Sequence, residues 1–259
     1  MMRILDSADG TRLMSFDDGY AAVIIPSRRG NCCVCVSTQL GCPMGCVFCN
    51  SPGFRRNLTQ DEIVGQVSEA AKLHDITSVV VMGMGEPMLN HAEVLPAIET
   101  IHQDFSIPYR RLTLSTCGMH LDRLIHVPFQ VAISLHSPYD EQRRQMIGKV
   151  ASINEILSFT QRYAEGRKYG VMIEYCLIKG LNDSDTHLQA LLDIRWPANT
   201  NVNLIEFNPP AENPLELARS DRLQDFKSAI REHGLKCFIR VSRGADIGAA
   251  CGLLSFDGQ

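Results

Sequence analysis

The sequence predicts an α/β protein whose core is a partial (β/α)6 barrel, preceded by a short N-terminal β extension. Apolar runs of strand length recur along the chain, and amphipathic segments of helical length separate them. This alternation predicts a parallel sheet covered by helices. About six strand–helix units are present, which is too few to close an eight-fold barrel. Ligands are therefore expected at the carboxyl ends of the strands, along one edge of an open sheet.

The predicted N-terminal extension comprises residues 1–36, and the predicted barrel with its C-terminal loop comprises residues 37–259. A turn signal at 17–19 (DDG) leads into an apolar strand at 20–25. A second β run at 32–37 leads into a loop rich in cysteine. The first strand of the barrel is thus expected directly before that loop.

The strand–helix units begin with a helix whose start is marked by a capping box. Thr59 is its N-cap and Glu62 stands three residues on, so that side chain and backbone groups satisfy each other. Further strands are predicted at 76–82, 112–115, 130–135, 171–176, 201–205 and 237–241. Further helices are predicted at 91–104, 120–126, 139–147, 152–165, 184–194 and 218–233.

The overall charge does not indicate a nucleic-acid-binding protein. The net charge is −4 and the pI is about 6.1, so the chain as a whole has no basic footprint. Arginine pairs do occur at 28–29, 55–56, 110–111 and 143–144. They are interpreted either as solvated surface or as a phosphate-binding rim assembled from several loops.

The sequence predicts a cytoplasmic protein that does not enter a membrane. No signal peptide opens the chain, and no apolar run approaches the ~20 residues of a membrane span. The chain has 10 cysteines in 259 residues, three of them in one short loop. A chain of this length with such a loop does not suggest a secreted disulfide framework.

The cysteine loop predicts an iron–sulfur cluster. Cys42, Cys46 and Cys49 have C-x3-C-x2-C spacing, and Phe48 precedes the last of them. Three thiolates can hold three irons of a [4Fe–4S] cube and leave the fourth iron open to a small molecule. A zinc site would need a fourth ligand nearby, yet the next downstream histidine or cysteine is His74. The loop resembles that of radical S-adenosylmethionine (SAM) enzymes; a zinc site and an inert buried loop are the alternatives.

Polar residues follow successive predicted strands, at the edge where the loop is expected. Residues 83–87 (GMGEP) follow the strand at 76–82, and Glu86 can accept hydrogen bonds from a cation such as the amino group of SAM. An ordinary turn with an N-capping acid is the alternative. The other polar groups at strand ends are Ser115, Thr116, Ser134, His136 and Asn208.

His136 is the histidine that this placement singles out. Its unperturbed pKa suits a general base. As a contact for SAM it needs only hydrogen bonding, and this is the preferred interpretation. The other histidines are expected to be structural or solvated.

Several motifs together resemble the RlmN/Cfr radical SAM methyltransferases, from about residue 20 to residue 253. They are residues 35–42 (CVSTQLGC), the cysteine loop, 56–59 (RNLT), 82–87 (MGMGEP), 114–116 (LST), 132–136 (AISLH), 203–205 (NLI) and 243–252 (RGADIGAACG). Members of this family methylate an adenine of ribosomal RNA at C2, also in some tRNAs, or at C8.

The resemblance implies a role for each matching residue. The cluster ligands would be Cys42, Cys46 and Cys49. The SAM-binding positions would be Gly85, Glu86, Ser115, Ser134, Leu135, His136 and Asn208. Cys251 matches the cysteine that carries the methyl group, and Cys35 matches its resolving partner.

The resemblance also implies a reaction and its cofactors. One SAM methylates Cys251, and a second SAM, bound to a [4Fe–4S] cluster, yields the radical that activates the S-methyl group. The resulting methylene radical adds to an sp2 carbon, and a proton and an electron then leave. Cys35 attacks the sulfur of Cys251 and releases the product with formation of a disulfide. An external electron donor such as flavodoxin or ferredoxin is implied.

Both thiols have alternative interpretations. Cys251 alone would be read as a small buried hydrophobic residue, since free cysteine is often buried. The small residues around it favour the functional interpretation, because they allow the loop to enter a crowded site. Cys32 and Cys33 are rival thiols close to Cys35.

Two departures from the family pattern bear on the substrate. The family's helical N-terminal domain, used in RNA engagement, has no counterpart before the β extension. The family's glutamate that accepts a proton or contacts the base aligns with Ala21, and Glu206 is a candidate substitute.

The predicted function is that of a radical SAM methyltransferase acting on an sp2 carbon. The substrate is either an RNA adenine or a smaller heteroaromatic molecule. A radical SAM enzyme of another reaction type and a non-catalytic iron–sulfur or zinc protein are the alternatives.

Overall fold

The computed structural model describes residues 2–27, 30–197, 199–210 and 213–255. The arginine pair at 28–29 therefore lies outside the described residues. The strands are β1 (Met2–Asp6), β2 (Arg12–Phe16), β3 (Ala21–Pro26), β4 (Cys32–Val36), β5 (Gln39–Leu40), β6 (Arg56–Asn57), β7 (Ile76–Val81), β8 (Leu112–Thr116), β9 (Gln130–Ser134), β10 (Met172–Lys179), β11 (Asn201–Glu206), β12 (Ala218–Arg219) and β13 (Lys236–Arg240).

In the described part of the chain, six α-helices connect the strands. They are α1 (Gln60–Ala71), α2 (His91–Asp104), α3 (Asp140–Ile147), α4 (Ile153–Ala164), α5 (Asp185–Asp193) and α6 (Leu223–Glu232). The capping box predicted at Thr59 and Glu62 opens α1, and Ser152 with Glu155 forms a second capping box that opens α4. Among the described residues, no helix combines the length and the apolar character needed to cross a membrane.

One sheet organises the fold, and it confirms the predicted α/β class with an open barrel. Its strand order is β1-β2-β3-β4-β7-β8-β9-β10-β11-β13, with β12 paired to β10. Pairing is parallel at each step from β4 to β13 and antiparallel from β1 to β4. Strands β1 and β13 end this order without pairing to each other within the described chain, so the barrel does not close.

The N-terminal extension is larger than its predicted strand at 20–25. Strands β1 and β2 form an antiparallel hairpin that the sequence analysis missed, and β2 pairs in turn with β3. Strand β4 hydrogen-bonds to β3 on one side and to β7 on the other, so the extension and the barrel share one sheet. The domain boundary after residue 36 stays a prediction.

Two predicted helices differ from the observed elements. The helix expected at 218–233 begins at Leu223, because residues Ala218–Arg219 form strand β12 and pair with the end of β10. The segment expected as a helix at 120–126 is a single 3-10 turn, Leu121–Leu124. The other predicted strands and helices are present, with ends shifted by a few residues.

The core lies between the helices and the parallel strands. The inner face of α1 contributes Ile63, Val67 and Ala70, which are fully buried. Burial of such apolar surface is the main favourable contribution to folding. This core fixes the strands, and thereby the loops that leave their carboxyl ends.

Candidate functional site

A cavity of about 460 Å³ lies at the carboxyl ends of the parallel strands. This volume is within the range of small-molecule sites. The predicted site residues that line it are Cys35, Cys42, Cys46, Cys49, Gly85, Glu86, Ser115, Ser134, His136, Asn208 and Cys251. Leu135 differs, because its side chain is fully buried in the core and does not line the cavity.

The cysteine loop is held by backbone contacts and one obligatory glycine. Gly41 has a φ of +76°, and a Cβ there would lie 2.1 Å from the carbonyl oxygen of Gly53. The N–H of Cys42 donates to Pro52 at 2.8 Å, and the N–H of Cys49 donates to Cys46 at 3.0 Å. The loop therefore presents its thiols from a fixed backbone.

The donor set of this loop fits an iron–sulfur cluster. Three thiolates of one loop can each bind a different iron of a [4Fe–4S] cube. Cys42, Cys46 and Cys49 all face the same cavity, as that arrangement requires.

Glu86 is a buried carboxylate fixed by three donors. Its Oε1 accepts from the N–H of Met88 at 3.0 Å and from the hydroxyl of Thr116 at 2.6 Å, and its Oε2 accepts from the N–H of Cys117 at 2.8 Å. Burial raises the pKa of Glu86 despite these hydrogen bonds. A cationic amino group in the cavity would offset the free-energy cost of burying the charged carboxylate of Glu86.

Gly85 brings the chain close to a neighbouring loop. Its φ is +103°, and a Cβ at this position would lie 2.7 Å from Cβ of Gln39. The side chain of Gln39 in turn accepts the N–H of Glu86 at 2.9 Å. A glycine is thus required next to the carboxylate.

His136 is a neutral hydrogen-bonding group. Burial, together with nearby Arg143, lowers its pKa to about 3. Its Nδ1 accepts the N–H of Cys176 at 3.0 Å, so the proton of the neutral ring is on Nε2. Phe48 of the cysteine loop packs edge-on against this ring, with centroids 4.9 Å apart. This geometry favours hydrogen bonding over general-base chemistry.

Cys251 and Cys35 meet at the same cavity from opposite ends of the chain. Cys35 is buried on β4, and burial raises its pKa to about 12, with a further contribution from Cys251. Cys251 is exposed, and both are free thiols. Of the two rival thiols on β4, neither Cys32 nor Cys33 lines the cavity.

The Cys251 loop is tied to two other parts of the site. Nδ2 of Asn208 donates to the carbonyl oxygen of Cys251 at 3.1 Å. The N–H of Asn50, just after the cysteine loop, donates to the carbonyl oxygen of Gly252 at 2.7 Å. The loop is therefore connected to both β11 and the cysteine loop.

Comparison with known proteins decides the family. The Radical SAM superfamily pattern matches residues 36–191. The dual-specificity RNA methyltransferase RlmN of Marinobacter nauticus is 40% identical over an alignment of 272 residues, gaps included. The alignment covers 96% of this chain and 73% of the relative. The chain belongs to the RlmN/Cfr-type radical SAM methyltransferases. It is an enzyme of that type, and its cofactors are a [4Fe–4S] cluster and SAM.

Solved structures agree with this assignment. A radical SAM methyltransferase from Sphaerobacter thermophilus superposes with a TM-score of 0.90 at 34% identity, covering 100% of this chain and 81% of that one. A spore photoproduct lyase superposes with a TM-score of 0.60 at 13% identity, covering 85% and 79%. The latter similarity concerns the fold alone.

Ala21, which the resemblance aligns with the family's glutamate, and its candidate substitute Glu206 lie in different places in this methyltransferase. Ala21 is buried and does not line the cavity. Glu206, at the end of β11, does line it. Its carboxylate accepts the N–H of Ser242 at 3.2 Å and lies 3.6 Å from the guanidinium of Arg219.

An ionic group that the sequence analysis missed completes the methyltransferase cavity. Glu174 on β10 is buried and accepts the hydroxyl of Ser115 at 2.6 Å. Arg240, at the end of β13, lies 3.9 Å from Glu174. Electrostatic interaction with Cys251, the largest contribution, and with Glu174 and Cys35 raises the pKa of Arg240 in spite of burial. Strands β10, β11 and β13 pair in parallel, so their carboxyl ends lie at one edge of the sheet. This pairing could have suggested that Glu174 and Arg240 lie close together.

Two further thiols reach the cavity. They are Cys117, after β8, and Cys176, on β10. The hydrogen bond from the Cys117 thiol lowers the pKa of Cys46 and raises that of Cys117.

Proposed function

We propose that this protein methylates an sp2 carbon through an S-methylcysteine formed on Cys251 and resolved by Cys35. The observation that carries the proposal is that both thiols line one cavity with the cysteine loop and the strand-end polar residues. A structural thiol near the C-terminus would have no reason to be exposed in such a cavity.

Three residues would hold the cluster, namely Cys42, Cys46 and Cys49. Glu86 would accept from the SAM amino group, and His136 would donate from Nε2. When bound, the cluster and SAM supply a carbon-centred radical that removes hydrogen from the S-methyl group. An external flavodoxin or ferredoxin would deliver the electron.

Cys251 carries the first step in this proposal. Its sulfur displaces the methyl group of SAM, so a carbon–sulfur bond forms on Cys251 and the bond to the sulfonium sulfur breaks. The thiol proton leaves to solvent, to which Cys251 is exposed. Arg240 lines the same cavity as Cys251 and brings positive charge to it.

Cys35 carries the last step. The substrate adduct first loses a proton and an electron. The sulfur of Cys35 then bonds to that of Cys251 while the carbon–sulfur bond to the product breaks, and the product carbon keeps the electron pair and takes up a proton to become the methyl group. The disulfide that remains is reduced by an external thiol. The raised pKa of Cys35, about 12, keeps it protonated and unreactive until a base is at hand. Glu206 is our candidate for the proton acceptor of the substrate carbon, since it lines the cavity where Ala21 does not.

The substrate that we favour is an adenine of RNA. The name of the Marinobacter relative, an RNA methyltransferase, supports it. Arg240 and Arg243 line the cavity and provide positive charge near its wall. A smaller heteroaromatic molecule is the second candidate, favoured by the net charge of −4 and by alanine at position 21.

A trapping experiment tests the mechanism and the substrate together. The Cys35→Ala variant, purified from its native host, should retain the substrate covalently on Cys251, as read by mass spectrometry of the C-terminal peptide. Cys33→Ala is the matched control, because Cys33 lies on the same strand without lining the cavity. A nucleotide adduct would support RNA, and a small-molecule adduct would name the other substrate. An unmodified Cys251 would contradict the mechanism.

Salt dependence gives an independent reading of the substrate. Binding of an RNA oligonucleotide should weaken steeply with salt, because Lys and Arg contacts release counterions. Absence of RNA binding at low salt, together with a small-molecule adduct, would replace the RNA proposal.

A further inference from the structure

The turn that joins β1 to β2 lies against the segment that leads into Cys251. The turn comprises residues 7–11 and the segment comprises residues 243–249, so the contact joins opposite ends of the chain. A Cβ at Gly244 would lie 2.8 Å from Cγ2 of Thr11, and the φ of Gly244 is +65°. A glycine is therefore required where the two pieces of chain meet.

Two carboxylates join the turn to the segment, one from each side. Asp246 of the segment accepts the hydroxyl of Ser7 at 2.6 Å and the N–H of Ala8 at 3.2 Å. Asp9 of the turn accepts the N–H of Gly244 at 3.0 Å. Hydrogen bonds to an ionised carboxylate are stronger than those between neutral groups, so these side chains fix the segment to the hairpin.

An apolar cluster also connects the hairpin with the residues around Cys251. Leu13 of β2 belongs to this cluster, and so do Ala249 and Leu254, which stand on either side of Cys251 in the sequence. Cys35 of β4 is buried in the same cluster. The hairpin therefore packs together with both the loop of the proposed methyl acceptor and the thiol proposed to resolve it.

The loop that carries Cys251 depends on such contacts. Cys251 is exposed, and the loop contains two glycines with positive φ, +69° at Gly248 and +82° at Gly252. Because glycine is conformationally permissive, the position of the thiol depends on what holds the loop. The N–H of Asn50 holds it after Cys251, and the hydrogen bonds of the hairpin hold it before Cys251.

We propose that Ser7, Asp9 and Asp246 are positioning residues that place the sulfur of Cys251 for methylation by SAM. The inference deepens the proposed function and rests on it, because it requires Cys251 to be the methyl acceptor. Attack on a methyl group needs the sulfur in line with the bond that breaks, and misplacement on the order of 1 Å can cost about a hundredfold in rate. The N-terminal extension thereby takes part in the reaction without contacting the reacting atoms.

Two activities of the same enzyme separate positioning from general damage. The enzyme is reconstituted anaerobically with Cys251 unmethylated at the start. Methylation of Cys251 is followed by single-turnover mass spectrometry at saturating SAM, and cleavage of SAM is followed by release of 5′-deoxyadenosine with dithionite. Asp246→Ala should slow methylation at least about tenfold through misplacement of the sulfur. It should keep the iron content and the SAM cleavage of the wild type, because Asp246 is exposed and does not line the cavity.

Further variants show whether the hydrogen bonds themselves are responsible. Ser7→Ala should slow methylation less than Asp246→Ala does, because the carboxylate keeps the N–H of Ala8. In the double variant the change at Ser7 should add nothing, since its partner is already absent. Asp246→Asn should recover part of the rate, because its amide oxygen still accepts a hydrogen bond.

Glu155→Ala is the matched control. Its carboxylate also accepts a serine hydroxyl and a serine N–H, both of Ser152 at 2.7 Å, and does not line the cavity. This variant should methylate Cys251 at the rate of the wild type.

The outcomes distinguish the inference from the function on which it rests. Wild-type methylation rates in both Asp246→Ala and Ser7→Ala would overturn the inference. An equal loss of methylation and SAM cleavage in Asp246→Ala would overturn it too, because that result means general damage to the site. A wild type whose Cys251 accepts no methyl group from SAM would instead refute the proposed function.

Discussion

Asn208 and Cys251 are joined by a hydrogen bond from the side-chain amide of the first to the carbonyl oxygen of the second, at 3.1 Å. Arg219 fixes the amide, because its guanidinium donates to Oδ1 of Asn208 at 3.3 Å. A residue proposed to bind SAM therefore also holds the loop of the proposed methyl acceptor. In the proposed function, binding of SAM and the position of Cys251 would therefore be coupled through one side chain.

Replacement of this amide should impair methylation of Cys251. We expect Asn208→Ala to slow formation of S-methylcysteine by about fivefold, the rate equivalent of ~1 kcal/mol for one lost hydrogen bond. The measurement is single-turnover mass spectrometry of the Cys251 peptide. Asn213→Ala is the control, because Asn213 also donates to a loop carbonyl, that of Leu217 at 2.7 Å, away from the cavity. Equal rates in the two variants would contradict the role of Asn208.

Gly85 should tolerate no side chain. We expect Gly85→Ala to lose SAM binding and to be destabilised by more than the ~1–3 kcal/mol of backbone strain alone, because its Cβ would overlap Gln39. Urea unfolding and calorimetric titration with SAM measure the two effects. Gly166 has a φ of +69° and open space around it. The control variant Gly166→Ala should therefore lose stability through backbone strain and keep its affinity for SAM. Retained SAM affinity in Gly85→Ala would refute the assignment.

The buried His136 should make stability depend on pH. Its pKa falls from 6.5 to about 3 on folding, so below pH 6.5 the unfolded chain binds the extra proton. Stability is therefore complete above pH 6.5 and declines as pH falls toward 3, with a loss of about 2 kcal/mol between pH 7 and pH 5. Urea unfolding of the apoprotein at both pH values measures it. His136→Gln should lack this component, and an identical pH dependence in both proteins would disprove it.

Glu206 should be needed for product formation and dispensable for the first methyl transfer. We expect Glu206→Gln to abolish turnover while Cys251 still becomes S-methylated, because an amide cannot accept a proton. Product assay and peptide mass spectrometry separate the two steps. Glu216→Gln, an exposed carboxylate that does not line the cavity, should leave turnover unchanged. Unchanged product in Glu206→Gln would rule out this proton acceptor.

The two proposed catalytic thiols should differ strongly in reactivity. Iodoacetamide should label exposed Cys251 at least about a hundredfold faster than Cys35, since burial and a pKa of about 12 keep Cys35 protonated. Peptide mapping of the apoprotein near neutral pH measures the rates. Buried Cys237 serves as the reference, labelled only after unfolding in urea. Comparable rates for Cys35 and Cys251 would contradict the environments described.

Local patterns in the sequence were sufficient for much of the fold. The capping box at Thr59 and the apolar runs of β7 and β10 follow from short-range chemistry, so their elements could be predicted. The hairpin of β1 and β2 was missed, and β12 was read as helix. A strand of two residues is too short to show the alternation of apolar and polar residues that marks strands. Strand β12 exists because the end of β10 offers it hydrogen-bonding partners.

The candidate site likewise has a part that could be predicted from the sequence and a part that could not. Spacing within one loop, as in Cys42, Cys46 and Cys49, and motifs at strand ends, as in Glu86, are local signals that the sequence carries by itself. The presence of Cys117 in the same cavity as the cysteine loop, and the approach of Arg240 to Glu174, are decided by the order of strands in the sheet. Residues far apart along the chain meet there only because parallel strands align their carboxyl ends at one edge, which is a property of the tertiary structure.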